Sequence, residues 1–172
     1  MKDILECKKI TILGPCGSGK SWLAAKLGEL LGLPVHHLDY YYLKPNWVTE
    51  DKVVICNKID EITKGASWVI DGNYRRNVEN RFDCSDTVII LNLPAEFCIE
   101  NVKNRAGKKR IGLPPYLEGA PDDIDYLIKH ITEFPERMKN TFSLMKKFNN
   151  KTIEFTSREQ VNEFIKSIES NK

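Results

Sequence analysis

The stretch Gly14-Pro15-Cys16-Gly17-Ser18-Gly19-Lys20-Ser21 constrains this chain more than any other, because its G-x-x-x-x-G-K-S spacing is that of a phosphate-binding loop. Its context agrees on both sides. Ile10-Thr11-Ile12-Leu13 reads as a buried strand, and residues 22–31 read as a helix with Leu23, Leu27 and Leu31 on one face. Glycines let backbone N–H groups curl around an anionic phosphate, and the start of the helix adds its partial positive charge. In such a loop the lysine reaches the β- and γ-phosphates of a nucleotide and the next hydroxyl is placed to ligate Mg²⁺. These roles fall on Lys20 and Ser21. The small thiol of Cys16 is tolerated in the loop and is assigned no chemistry.

Further along, Gly32 and Pro34 stop the helix, so residues 35–38 read as a second strand ending at Asp39. A carboxylate at the carboxyl end of a strand lies on the ligand side of an open α/β sheet, which makes Asp39 a site candidate. Tyr40, Tyr41, Tyr42 and Trp47 follow, and Thr49 is a candidate cap for a helix carrying Ile55, Ile59 and Ile62. Most of these aromatics are read as packing on that helix; stacking of Tyr40 or Trp47 on a planar substrate is the alternative. Asn57-Lys58-Ile59-Asp60 matches the string by which GTPases read guanine, but it precedes the next strand and falls within a helix. It is read as chance.

Trp68-Val69-Ile70-Asp71 reads as a third strand closing on a carboxylate suited to hold Mg²⁺ or its waters. Arg75 and Arg76, just beyond, offer forked donors for a second phosphate or carboxylate. Residues 87–91 form a fourth strand, and Pro94 opens a helix carrying Phe97, Ile99 and Val102. The basic run 105–110 then leads into a segment broken by Gly112, Pro114, Pro115, Gly119 and Pro121, the pattern of a mobile lid. One helix is expected from Asp122 to Phe134 and another from Pro135 to about Phe148. Residues 152–155 are a fifth strand, followed by a Ser157-x-x-Gln160 capping box and a last helix with Val161, Phe164, Ile165 and Ile168.

This alternation implies an α/β fold, a parallel sheet covered on both faces, and 172 residues suit a single domain, 1–172. A net charge of +2 gives no footprint of nucleic-acid binding. Five scattered cysteines without a C-x-x-C argue against a disulfide framework or a zinc site and fit a reducing compartment. The N-terminus shows no signal-peptide pattern and no apolar run approaches the ~20 residues of a membrane span, so the expected location is the cytoplasm.

Taken together, the loop, Leu38-Asp39, Trp47 and the Trp68-Val69-Ile70-Asp71-Gly72-Asn73-Tyr74 string resemble an adenylate-kinase-type P-loop kinase, and most closely the bacterial DNA topology modulation proteins. The resemblance runs from about Lys8 to Arg105 and is weaker beyond. It implies the P-loop NTPase three-layer fold with five parallel strands in the order 2-3-1-4-5, an acceptor-binding segment over 39–65, and a helical lid with return helices over 106–148. It also places Asp71 near Mg²⁺ and Arg75 on the acceptor phosphate. Adenylate kinases carry two arginines four apart on the helix after the fourth strand; this chain has Asn101 and Arg105, leaving Arg105 as the phosphate contact, with Arg137 as a further candidate.

The expected activity is transfer of the γ-phosphoryl group of ATP, with Mg²⁺, to a small acceptor: a nucleoside, nucleotide or other metabolite. Lys20 and Arg105 would stabilise the transferring group, Asp39 would orient or deprotonate an acceptor hydroxyl, and the protein would act as a monomer or homodimer. The competing expectation is a regulatory protein that binds or hydrolyses ATP and acts on DNA topology or a protein partner.

Overall fold

The computed structural model describes residues 2–108, 111–118 and 120–171. Lys109, Arg110 and Gly119 of the expected lid lie outside the described residues. In chain order the elements are β1 (Lys9–Leu13), α1 (Lys20–Leu31), β2 (Val35–His37), α2 (Leu38–Tyr42), α3 (Lys52–Lys64), β3 (Trp68–Asp71) and α4 (Val78–Cys84). They continue with β4 (Thr87–Leu91), α5 (Ala95–Arg105), α6 (Ile124–Thr132), α7 (Phe134–Met145), β5 (Thr152–Phe155) and α8 (Arg158–Ser170). The sheet runs β2-β3-β1-β4-β5 with every neighbouring pair parallel, the order that the resemblance to P-loop kinases implies.

Strand residues alternate between faces, so each central strand feeds two cores. Ile10, Ile12, Val69, Ile89 and Leu91 pack with Leu23 and Leu27 of α1, Cys98 and Val102 of α5, and Val161, Ile165 and Ile168 of α8. On the opposite face Leu13, Val88 and Ile90 meet Val78 and Phe82 of α4 and Phe134 and Met138 of α7, while Trp68 and Ile70 meet Ile55, Ile59 and Ile62 of α3. The resulting three layers fix β1 at the centre of the sheet, and the phosphate-binding loop leaves its carboxyl end.

Several boundaries differ from those the sequence predicts. β2 ends at His37, and Asp39 stands in the first turn of α2. Leu38 turns into the α3 core and lies against Gly72, where a Cβ would come within 2.8 Å of its own; that inward turn ends the strand. The cap of α3 is Asp51, whose carboxylate accepts from the Val53 and Val54 amides at 2.8 and 3.4 Å. A carboxylate at this position also meets the positive end of the helix, which a threonine hydroxyl does not. The next-to-last pair of helices starts after Asp123 and at Phe134, and α7 gives way to a 3₁₀ turn after Met145. The capping box of α8 is formed as the spacing requires.

Candidate active site

The phosphate-binding loop is held in shape from three directions. At Gly17, with φ at 79°, a Cβ would sit 2.2 Å from the Cys98 carbonyl oxygen, so only glycine lets α5 press against the loop there. Asn101, on the same helix, donates to the Gly17 carbonyl at 2.9 Å. Asn73, just after β3, accepts from the Gly14 amide at 3.1 Å and donates to its carbonyl at 2.6 Å. The Lys20 ammonium lies back across the loop and donates to the Pro15 carbonyl at 2.9 Å. Ser18 Oγ is buried inside the loop with no hydrogen-bond partner among the described residues. A curled backbone with a cation and a spare hydroxyl facing its interior suits a polyphosphate.

Beside the loop, Ser21 Oγ donates to Asp71 Oδ2 at 2.8 Å. The register pairs His37 with Asp71 on adjacent parallel strands, and His37 Nδ1 is hydrogen-bonded to Asp71 Oδ1. Both carboxylate oxygens are thus engaged, and the residue is only 4% exposed. Behind it, Arg81 of α4 is completely buried; burial pulls its guanidinium down to about 10, and the nearby Asp71 charge opposes that shift. Arg81 Nη2 donates to the Tyr74 carbonyl at 3.3 Å, which ties the cation to the turn that carries Arg75.

No group of three or more His, Cys, Asp and Glu side chains among the described residues forms a metal cluster. Mg²⁺ does not need one: it keeps several waters and binds through one or two protein oxygens together with phosphates. The hydroxyl of Ser21 and the carboxylate of Asp71, side by side and hard in character, fit that requirement.

The segment after α5 covers this pair. A Cβ at Gly112, with φ at 83°, would approach Ser21 Oγ to 2.6 Å and His37 Nδ1 to 3.2 Å, so its bare backbone is what allows such contact. Leu113 and Leu117 are buried, and the Tyr116 hydroxyl donates to the Leu43 carbonyl, fastening the cover to the 39–65 segment. In that segment Asn46 and Trp47 hold positive φ angles of 61° and 59°, an uncommon conformation for a bulky side chain.

Arg75 is exposed at the mouth of a cavity of about 60 Å³ lined by Cys16 of the loop, Asn73, His130, Phe134, Arg137 and Met138. Its Nη1 donates to the Arg137 carbonyl at 2.9 Å. A groove of about 270 Å³ continues past both arginines along Val78, Asn140, Thr141 and Leu144. Burial, reinforced by the Arg137 charge, holds His130 below the usual histidine range. The structure therefore brings together the loop, Lys20, Ser21 and Asp71, and separately Arg75 with Arg137. Arg105 is half-buried at the end of α5, one turn beyond Asn101. Asp39 is exposed on α2, beside Tyr40, which stacks on His37 with ring centroids 5.8 Å apart. His37 and Arg81 were not singled out from the sequence, Asn73 entered only as part of the Trp68–Tyr74 string, and Gly112 only as a break in the lid.

No family model matches the chain, and no curated protein matches it in sequence. Solved structures do match in shape. A shikimate kinase from Bacteroides thetaiotaomicron superposes with a TM-score of 0.63 at 17% identity, over 96% of this chain and 98% of that one. A gluconokinase from Sinorhizobium meliloti 1021 gives 0.56 at 14% identity, over 94% and 89%. A deoxyadenosine kinase from M. mycoides, with bound dATP, gives 0.53 at 15% identity, over 95% and 100%. The chain therefore has the P-loop kinase fold along essentially its whole described length.

Proposed function

We propose that this chain is a phosphotransferase that moves the γ-phosphoryl group of ATP to a small acceptor. The observation that carries the reading is the Ser21–Asp71 pair beside the phosphate-binding loop, covered by the Gly112 segment, with a cavity lined by Cys16 of the loop and by Arg75 and Arg137. Similar shapes among kinases of small molecules support it. Gly14 to Ser21 would cradle the phosphates, and Lys20 and Arg105 would draw negative charge off the transferring group. Mg²⁺, held through Ser21 and Asp71, would neutralise charge between the β- and γ-phosphates.

In this reading the whole chain, 1–172, is one catalytic unit in which 39–65 binds the acceptor and 106–148 closes over it. An acceptor hydroxyl would give its proton to Asp39 as its oxygen bonds to phosphorus and the bond to the ADP oxygen breaks. An acceptor phosphate, already anionic, would need Asp39 only for orientation. Closure by the Gly112 segment would keep water from competing as acceptor.

Arg75 tests the division between donor and acceptor sites. Arg75→Ala is expected to raise the KM of an anionic acceptor about ten- to hundredfold and to leave ATP affinity little changed, since a charge-assisted contact contributes roughly 1.5–3 kcal/mol. Arg75→Lys should recover only part of the loss, because an ammonium cannot reproduce two-pronged geometry. Steady-state kinetics with both substrates varied checks this, and weakened ATP binding with unaltered acceptor kinetics would contradict it.

A further inference from the structure

Arg81 is an expensive residue to keep in a core. It is completely buried, and its Nε and Nη1 make no hydrogen bond among the described residues, while Nη2 donates to the Tyr74 carbonyl. Burial draws the guanidinium down only to about 10, so it remains a cation near neutral pH. A positive charge is therefore fixed in the interior. Helix α4 is pinned in place around it: the Arg81 carbonyl accepts from Ser85 Oγ at 2.7 Å, and that hydroxyl meets Thr11 Oγ1 of β1 at 2.9 Å.

Its position relative to the candidate metal pair follows from the layers. Ser21 belongs to α1 and Arg81 to α4, and these helices pack on opposite faces of the sheet. Asp71 stands at the end of β3 between them, in register with Ile12, the residue after Thr11. Among the described residues, Asp71 is the charged group that favours the buried guanidinium. Its two oxygens are engaged by Ser21 and His37, and its negative charge already faces a cation. Such a carboxylate is a poor ligand for a bare divalent ion, because the repulsion from Arg81 acts through dry protein where salt screens little. Phosphates would supply the negative charge that the pair lacks.

We infer that Arg81 sets the metal affinity of the Ser21–Asp71 pair, holding it too low for free Mg²⁺, so that the metal enters already bound to phosphates. The inference rests on the proposed reading of that pair as the metal site.

The test titrates the protein, without nucleotide, with Mn²⁺, a paramagnetic ion of the same oxygen preference as Mg²⁺, and counts the free ion by electron paramagnetic resonance. The unsubstituted protein is expected to bind it with a Kd of about 1 mM or weaker, and Arg81→Met about tenfold or more tighter. Exchanging a buried ionic group for an apolar chain of similar volume is often neutral for stability, and circular dichroism checks the fold. Arg81→Gln, neutral but polar, should gain as much as Arg81→Met, because the charge and not the shape is what changes. The gain should vanish when Asp71→Asn is added. Unchanged or weaker Mn²⁺ binding in the folded variants would overturn the inference, and so would a gain that survives Asp71→Asn. Tight, micromolar binding by the unsubstituted protein without nucleotide would overturn it whether or not either variant folds. If Mg²⁺ fails to tighten ATP binding to the unsubstituted protein, measured calorimetrically, the reading of Ser21 and Asp71 as the metal site falls, a result distinct from failure of the role given to Arg81.

Discussion

Lys20→Ala is expected to lower ATP turnover by about 10²–10³-fold with the fold intact, the scale of removing one preorganised charge donor from a phosphoryl-transfer site. The side chain is half-buried, and its ammonium donates to the Pro15 carbonyl of its own loop, so truncation takes nothing from either core. The loop keeps its shape through Asn73, Asn101 and the packing of α5 on Gly17. Circular dichroism with turnover measured on the same preparation separates the two effects. Near-normal turnover in a folded Lys20→Ala protein would contradict the role assigned to the loop.

Asp71→Asn should act on catalysis and stability together. An amide keeps the shape of the carboxylate but has lost the charge, so the Mg²⁺ concentration giving half-maximal rate should rise about tenfold and kcat fall about 10²-fold. Stability should fall by about 1–3 kcal/mol, because Arg81 is then a fully buried cation without an opposing charge nearby. Arg81→Met added to Asp71→Asn removes that buried charge and should restore the melting temperature without restoring turnover. If both recover together, Asp71 serves the fold rather than the reaction; denaturation curves and Mg²⁺ titrations of the single and double variants decide.

The sheet was legible in the sequence because its central strands are short apolar runs bounded by glycine, proline or a carboxylate, and because the phosphate-binding loop requires a strand before it and a helix after it. Helix α4 was not, since its buried stripe is Val78, Arg81 and Phe82, and an arginine at a core position breaks the apolar period. Asp39 was expected at a strand end, but the burial of Leu38 beside Gly72, a tertiary contact, turns the chain into α2 first.

Within the candidate site, the loop, Ser21 and Asp71 could be named because each belongs to a local string. His37 could not, because its meeting with Asp71 depends on β2 lying next to β3 in register. The same holds for Gly112, read from the sequence only as a break in the lid. Asn101 stood out as a departure from the two-arginine pattern, and its amide braces the loop at Gly17. Arg75 and Arg137 were separate candidates 62 positions apart, and the packing of α7 brings them to one cavity.

The central claim is that the covered Ser21–Asp71 site passes a phosphoryl group to a small molecule, and its most direct test is ADP release measured with and without added nucleosides, nucleotides and small polyols or hydroxy acids. The account predicts slow release from ATP alone, strong stimulation by one acceptor class, and a mass gain of one phosphoryl group on that acceptor in step with ADP. Rapid ATP hydrolysis that no small acceptor alters, with no phosphorylated product, would contradict it and favour a regulatory ATPase.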